Sequence, residues 1–186
     1  FQVIHAAVSQ IGIARQASGA ASGSVFTTTP NVSVRDAEGN VVVDGAGSTA
    51  QIRVTVSSGG SLIGTTTVTA ANGVARFTDL GLSGLVGTYT LTYEGVGLGF
   101  STVTQSITLT FGAADHLGIS TQPVGGHATG AAFTTAPVVS IYDAAGNVVA
   151  LREEDRDEGD RAAEELGINL SRNENSAIDN EYLDLN

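Results

Sequence analysis

The chain has 186 residues, a net charge of −11 and no Cys, which excludes disulfide bridges and thiolate metal sites. It contains 24 Gly and three Pro, and Thr, Ser, Val and Ala dominate the remainder. This mixture favours short strands joined by tight turns over a helical bundle.

The acidic charge is concentrated near the C-terminus. Residues 1–150 contain seven acidic residues and four Arg, whereas residues 151–186 contain twelve acidic residues and four Arg. An acidic chain without a basic patch repels phosphate backbones, so we expect no nucleic-acid partner. No apolar run reaches 18 residues, so we expect no membrane span. No signal peptide appears at Phe1, so the chain is expected to be cytosolic, already processed or a fragment, and the repeat described below favours the last two.

Strand signals recur about every ten residues between Val8 and Phe111. In chain order they are SQIGIAR, NVSVRD, QIRVTV, SLIGTTTVTA, GVARFTDL, TYTLTYE and QSITLTF. Apolar and polar residues alternate in most of them, as in strands with one buried face; SLIGTTTVTA, rich in Thr, is predicted to be an edge strand. Seven or eight such strands predict a two-sheet β-sandwich. The predicted inward residues are Ile11, Ile13, Val32, Val34, Ile52, Val54, Val56, Ala75, Phe77, Tyr89, Leu91, Tyr93, Ile107, Leu109 and Phe111.

The sequence then begins to repeat itself. FTTTPNVSVRDAEGNVVV, residues 26–43, returns as FTTAPVVSIYDAAGNVVA, residues 133–150, at a spacing of 107 residues. That spacing is too long for a solenoid unit and suits a complete sandwich domain of about 100 residues. The predicted organisation is therefore a linker or strand entry at 1–7, a complete module at 8–111, the first strands of a second copy at 112–150 and an acidic tail at 151–186. The tail is predicted to be either partly helical or disordered.

Three stretches carry a resemblance to a known family. TTTVTAANGVARFTDLGLSGLVGTYTLTYEG, FGAADHLGISTQP and FTTAPVVSIYDAAGNVV resemble the bacterial immunoglobulin-like tandem repeats of large surface and secreted proteins, which are broadly similar in architecture to invasin and intimin stalk domains. The resemblance covers residues 1–150. It implies an immunoglobulin-like sandwich, an extracellular or cell-surface location and a spacer role.

Two motifs point to structural residues or ion ligands. Gly87-Thr88-Tyr89 matches the tyrosine corner of sandwich folds, in which the phenol bonds to backbone. The turns DAEGN and DAAGN predict hairpins in which Gly and Asn adopt positive φ and Asp caps the turn. The alternative is a weak interdomain Ca²⁺ site, with Asp36, Asn40, Asp143 and Asn147 as candidate oxygen ligands. Because each turn offers only one or two strong ligands, we favour the hairpin and expect no cofactor.

No constellation of residues predicts catalysis. His5, His116 and His127 lie near module starts, without a Cys to support a metal site, so solvated loop His is the favoured interpretation. No Gly-x-Ser-x-Gly motif is present. We predict that the chain is not an enzyme.

The unfinished second copy has three explanations. The chain is a piece of a longer protein, or strands of another copy complete the sandwich, or the tail folds back over it. The tail composition argues against the third, and we favour the first. Two functions follow: a structural or fibre-forming module whose partners are neighbouring modules or identical subunits, or an adhesion module that binds a surface glycan or protein through its end loops.

Overall fold

The structure is a computed structural model that describes residues 6–126, 129–130 and 132–149. Within these residues every regular element is a β-strand except one 3₁₀ turn at Ala46–Thr49. This confirms the predicted all-β class. The predictions for the tail, residues 151–186, lie outside the described residues.

The first module contains eleven strands because several short strands accompany the predicted ones. They are β1 (Gln10–Arg15), β2 (Ala20–Ala21), β3 (Ser24–Val25), β4 (Asn31–Arg35), β5 (Gln51–Val56), β6 (Gly60–Ile63), β7 (Thr67–Thr69), β8 (Val74–Arg76), β9 (Gly81–Gly84), β10 (Gly87–Gly95) and β11 (Val103–Thr110). The described part of the second copy adds β12 (Ala114–Thr121), β13 (Val124–Gly125), β14 (Phe133–Thr135) and β15 (Val138–Asp143).

Two sheets of the first module bury one common core. One sheet has the order β1-β4-β8 and the other the order β2-β11-β10-β5-β7, and a small sheet, β3-β9-β6, accompanies them. Alternate residues of the central strands point inward because side chains change face at every residue. The largest fully buried apolar side chains are Tyr93, Phe77, Ile52, Leu80, Leu82, Leu91, Leu109, Val32, Val34 and Val54.

The stretch SLIGTTTVTA lies at sheet edges as predicted, but the prediction of a single strand is wrong. It forms two strands, β6 and β7, which pair in different sheets. The break falls at Gly64, whose φ is +82°, and a Cβ there would lie 2.1 Å from the Asp79 carbonyl oxygen. The Asp79 carboxylate also accepts hydrogen bonds from the backbone N–H and the hydroxyl of Thr65. The chain therefore changes sheet at a position that Gly accommodates.

The second copy repeats the strand register of the first. In β1 and β4, Ile11 pairs with Val34, and the same pairing in β12 and β15 joins Leu117 to Ile141. Ile11 is buried in the core, whereas Leu117 is 69% exposed. The same strand pairing is therefore present in both copies. Among the described residues, only in the first copy does a second apolar sheet cover this pair of strands.

The described residues belong to one compact unit. No helix in the described part of the chain is long and apolar enough to cross a membrane.

Candidate functional site

The two Asp-Asn turns share one backbone geometry. In each, the Asp N–H donates to the Asn carbonyl, at 3.0 Å in Asp36–Asn40 and 2.9 Å in Asp143–Asn147. Gly39 and Gly146 have φ of +89° and +88°, which any residue with a Cβ adopts at a cost. The predicted positive φ is wrong for both Asn residues, because Gly alone supplies the left-handed position. The Asn residues contribute through their side chains.

The carboxylate of Asp143 is the centre of the second turn. Its Oδ1 accepts hydrogen bonds from the N–H groups of Ala145 and Asn147, both at 2.9 Å. Its Oδ2 accepts from the Gly112 N–H at 2.7 Å and from the Asn147 side-chain amide at 2.8 Å. The carboxylate therefore closes its own turn and also binds the segment that leads into the second copy.

Asp36 repeats this pattern in the first copy. It accepts from the Asn40 N–H at 2.8 Å, from the Asn40 side-chain amide at 3.1 Å and from the Ala6 N–H at 3.1 Å. For both Asp36 and Asp143, burial raises the carboxyl pKa, but the hydrogen bonds outweigh it, so the pKa lies below its ordinary value.

This geometry bears directly on the candidate Ca²⁺ ligands. All four candidates lie in the two turns, one Asp and one Asn in each, and the oxygens of both Asp residues face N–H donors. A cation at either carboxylate would have to displace those donors. Within the described ranges, no group of three or more metal-binding side chains is present. The turns are built as hydrogen-bonded loop anchors.

Asn147 extends the second turn onto the first module. Its Oδ1 accepts a hydrogen bond from the Val86 N–H at 2.7 Å, and its side-chain amide donates to the Gly84 carbonyl at 2.9 Å. A carboxamide has an acceptor and a donor side by side, which matches the N–H and C=O that this loop presents. Asn147 is 7% exposed. We call this contact the junction, formed by residues 84–86, Gly112 and residues 143–147.

Gly112 brings the two backbones close together at the junction. A Cβ on Gly112 would lie 2.1 Å from the Ser22 carbonyl oxygen and 3.4 Å from Asp143 Oδ2. The Ser22 hydroxyl in turn donates to the Gly84 carbonyl at 3.0 Å and accepts from the Gly84 N–H at 3.2 Å. Ser22 therefore lies against Gly112 and is bonded to the loop that Asn147 binds.

The tyrosine-corner candidate supports the same loop. The Tyr89 hydroxyl donates to the Leu85 carbonyl at 2.8 Å, the type of backbone bond that the motif predicts, and Tyr89 is buried. Leu85 lies between the two backbone groups that bind Asn147. Gly87 begins β10, and a Cβ there would meet only the Leu85 carbonyl oxygen, at 3.9 Å. Steric crowding therefore does not explain Gly at position 87.

One of the three His candidates, His116, lies in the described residues. His5 and His127 lie outside the described residues. His116 is exposed, its Nδ1 lies 2.9 Å from Asp115 Oδ2, and its ring stacks on Tyr142 at a centroid distance of 5.6 Å. These contacts are local to the surface of β12 and β15.

Asn40 differs from its equivalent Asn147 in its surroundings. Among the described residues its side chain makes one hydrogen bond, to Asp36, and Asn40 is exposed. The two turns are predictable from the sequence, but the Asn147 contact is not, because its partners are backbone groups 61 and 63 residues away. The sequence feature that points to Asn147 is that Asp and Asn occupy the same two positions of the turn in both copies.

No protein-family model matches the chain, and no curated protein sequence matches it. Solved structures with local similarity include a β-glucuronidase from Parabacteroides merdae, with a TM-score of 0.42 and 17% identity over 56% of this chain. A β-glycosidase from Bacteroides vulgatus has a TM-score of 0.42 and 15% identity over 56% of this chain. Domains 4–9 of the surface layer protein SbsC are also similar, with a TM-score of 0.38 and 18% identity over 77% of this chain. The chain spans 12%, 14% and 21% of these structures, respectively. Similarity at this level carries no argument about activity, partners or location.

Proposed function

We propose that this chain is a structural module of a bacterial surface or secreted repeat protein, in which the junction holds consecutive immunoglobulin-like copies in a fixed orientation. The observation that carries the proposal is the pair of hydrogen bonds from Asn147 to Val86 and Gly84. A flexible spacer needs no such contact, whereas a stiff rod or fibre needs one at each module boundary. The proposed partners are neighbouring modules of the same kind.

The strength of the junction follows from its contacts. Two hydrogen bonds cross from Asn147 to the loop, and each contributes about 0.5–1.5 kcal/mol net. The two copies are covalently linked, so docking does not carry the cost of bringing separate molecules together. A docking free energy of about 1–3 kcal/mol makes the docked arrangement the dominant one by roughly 5- to 150-fold.

The repeat also offers a mechanism for orienting the segment that enters a copy. In both copies the turn Asp accepts a hydrogen bond from an entry-segment N–H, that of Ala6 in the first copy and that of Gly112 in the second. The same carboxylate holds the Asn side chain of its turn. The direction of the entering chain is therefore tied to the position of the Asn that contacts the preceding module in the second copy.

Residual dipolar couplings of backbone amides test the proposal on the whole chain. In the parent protein, residues 8–111 and the described residues of the second copy should fit one common alignment tensor. Asn147→Ala should reduce the order of the second copy and require a separate tensor, because both bonds to the loop are lost. Asn40→Ala is the matched control, since it removes the equivalent side chain without touching the junction. Two tensors in the parent protein would contradict the proposal.

A further inference from the structure

The second copy presents an apolar face that is exposed in the described structure. Across β12 and β15, Leu117 pairs with Ile141 and Ile119 with Val139, and Phe133 is the repeat equivalent of the core residue Phe26. We call this set the open face: Leu117, Ile119, Phe133, Val139 and Ile141. The first four are between 53% and 69% exposed, and Ile141 is half-buried. Scattered apolar residues are ordinary on a protein surface, but these five occupy equivalent positions of a sandwich core.

The first module establishes what such a face packs against. The residues equivalent to the open face are Ile11, Ile13, Phe26, Val32 and Val34, and they lie in or against the core. Their cover is a sheet with inward Ile, Val and Leu residues, such as Ile52, Val54 and Leu91. In the first module the cover is therefore a second apolar β-sheet packed face to face.

That cover cannot come from the described first module without opening it. The inward residues of β5 and β10 are themselves buried in the core. The open face is itself an exposed apolar sheet surface. Because it carries no charged side chain, two such faces can pack together without desolvating a charge.

We infer that the open face is a self-association surface, on which a second copy of this chain packs its own open face around a two-fold axis. Two sheets packed face to face form a sandwich across the axis. The five side chains offer on the order of 500 Å² per copy, or about 1,000 Å² in total, which reaches the lower bound for a specific interface. An interface of this area belongs to the weak, transient class.

The net charge of the chain predicts how the dimer depends on salt. The net charge of −11 makes two chains repel each other, while the open face attracts through the hydrophobic effect. Added NaCl screens the repulsion. The dimer should therefore strengthen as NaCl is raised from about 20 to 500 mM, opposite to an association that depends on ion pairs.

Sedimentation velocity on the whole chain between about 1 and 500 μM tests this inference. The parent protein should pass from monomer to dimer and stop there, because a two-fold interface closes on itself. Leu117→Asp and Val139→Asp should each weaken association at least about 30-fold, since each change occurs twice in the interface. Val25→Asp is the matched control, a Val of similar exposure in β3, and should dimerise like the parent.

Three results would overturn the inference. The first is a parent chain that stays monomeric at about 500 μM in high salt. The second is a mass that keeps growing beyond the dimer, which would indicate open-ended strand addition. The third is equal weakening by Val25→Asp. These outcomes are independent of the junction, because the dipolar couplings report on orientation within one chain.

Discussion

Removing the Tyr89 hydroxyl should destabilise the first module by about 1 kcal/mol. The Tyr89→Phe change deletes the 2.8 Å hydrogen bond to the Leu85 carbonyl and leaves the ring in place. A hydrogen bond contributes a net of about 0.5–1.5 kcal/mol to the free energy of unfolding, and leaving a fully buried acceptor without a partner costs more. Leu85 is an exposed residue, so water can reach the released carbonyl and the larger penalty does not apply.

Tyr93→Phe is the matched control for this prediction. Tyr93 is fully buried, burial raises the pKa of its phenol, and its hydroxyl has no hydrogen-bond partner in the described structure. Its ring packs against Phe77 at a centroid distance of 5.9 Å, and Phe preserves that contact. Removing a buried hydroxyl without a partner should leave stability unchanged or increase it.

Urea unfolding of both variants measures the difference. We expect the Tyr89→Phe midpoint to fall with an unchanged m-value, together with a loss of about 2–6 °C in melting temperature. The Tyr93→Phe midpoint should equal or exceed that of the parent. A Tyr93→Phe variant that is the more destabilised of the two, or a Tyr89→Phe variant that unfolds like the parent, would contradict the role given to the Tyr89 hydroxyl.

Two further predictions concern the turn Asp residues and the close contact at Gly112. The folded-state pKa of Asp143 and of Asp36 is lowered. Their contribution to stability is therefore complete above the unfolded pKa of about 3.9 and is lost as pH falls through the folded pKa. The free energy of unfolding, measured from pH 6 to pH 2, should fall less steeply in Asp143→Asn than in the parent, and an unchanged slope would contradict this. Gly112→Ala should destabilise the folded state by about 1–3 kcal/mol, because its Cβ would lie 2.1 Å from the Ser22 carbonyl oxygen. Gly87→Ala is the control and should be nearly neutral, because the nearest neighbour of its Cβ lies at 3.9 Å. Equal effects of the two changes on thermal unfolding would show that the close contact is unimportant.

The sequence predicted the parts of the fold that depend on alternation within one strand. Val32 and Val34, and likewise Leu91 and Tyr93, are buried as expected because side chains change face at every residue. β9 was missed because its sequence, GLSG, has little alternation. The two-residue strands β2 and β3 are too short to show a period at all.

The junction could not be predicted in the same way. Asn147 binds backbone groups of Gly84 and Val86, and a backbone N–H or C=O leaves no signature in the sequence. The repeated Asp and Asn marked the turns as important, but the same residues also suit a plain hairpin or a Ca²⁺ site. Only the three-dimensional arrangement distinguishes these, because it brings residues about 60 positions apart into contact.

Hydrogen exchange at the Val86 amide tests the central claim most directly. This N–H donates to Asn147 Oδ1 at 2.7 Å, although Val86 itself is 55% exposed. If the junction holds the second copy on the first module, exchange at Val86 should be slowed roughly 5- to 150-fold relative to Asn147→Ala, and Asn40→Ala should match the parent. An amide that exchanges at the unprotected rate in the parent, or equally in all three proteins, would contradict a fixed junction.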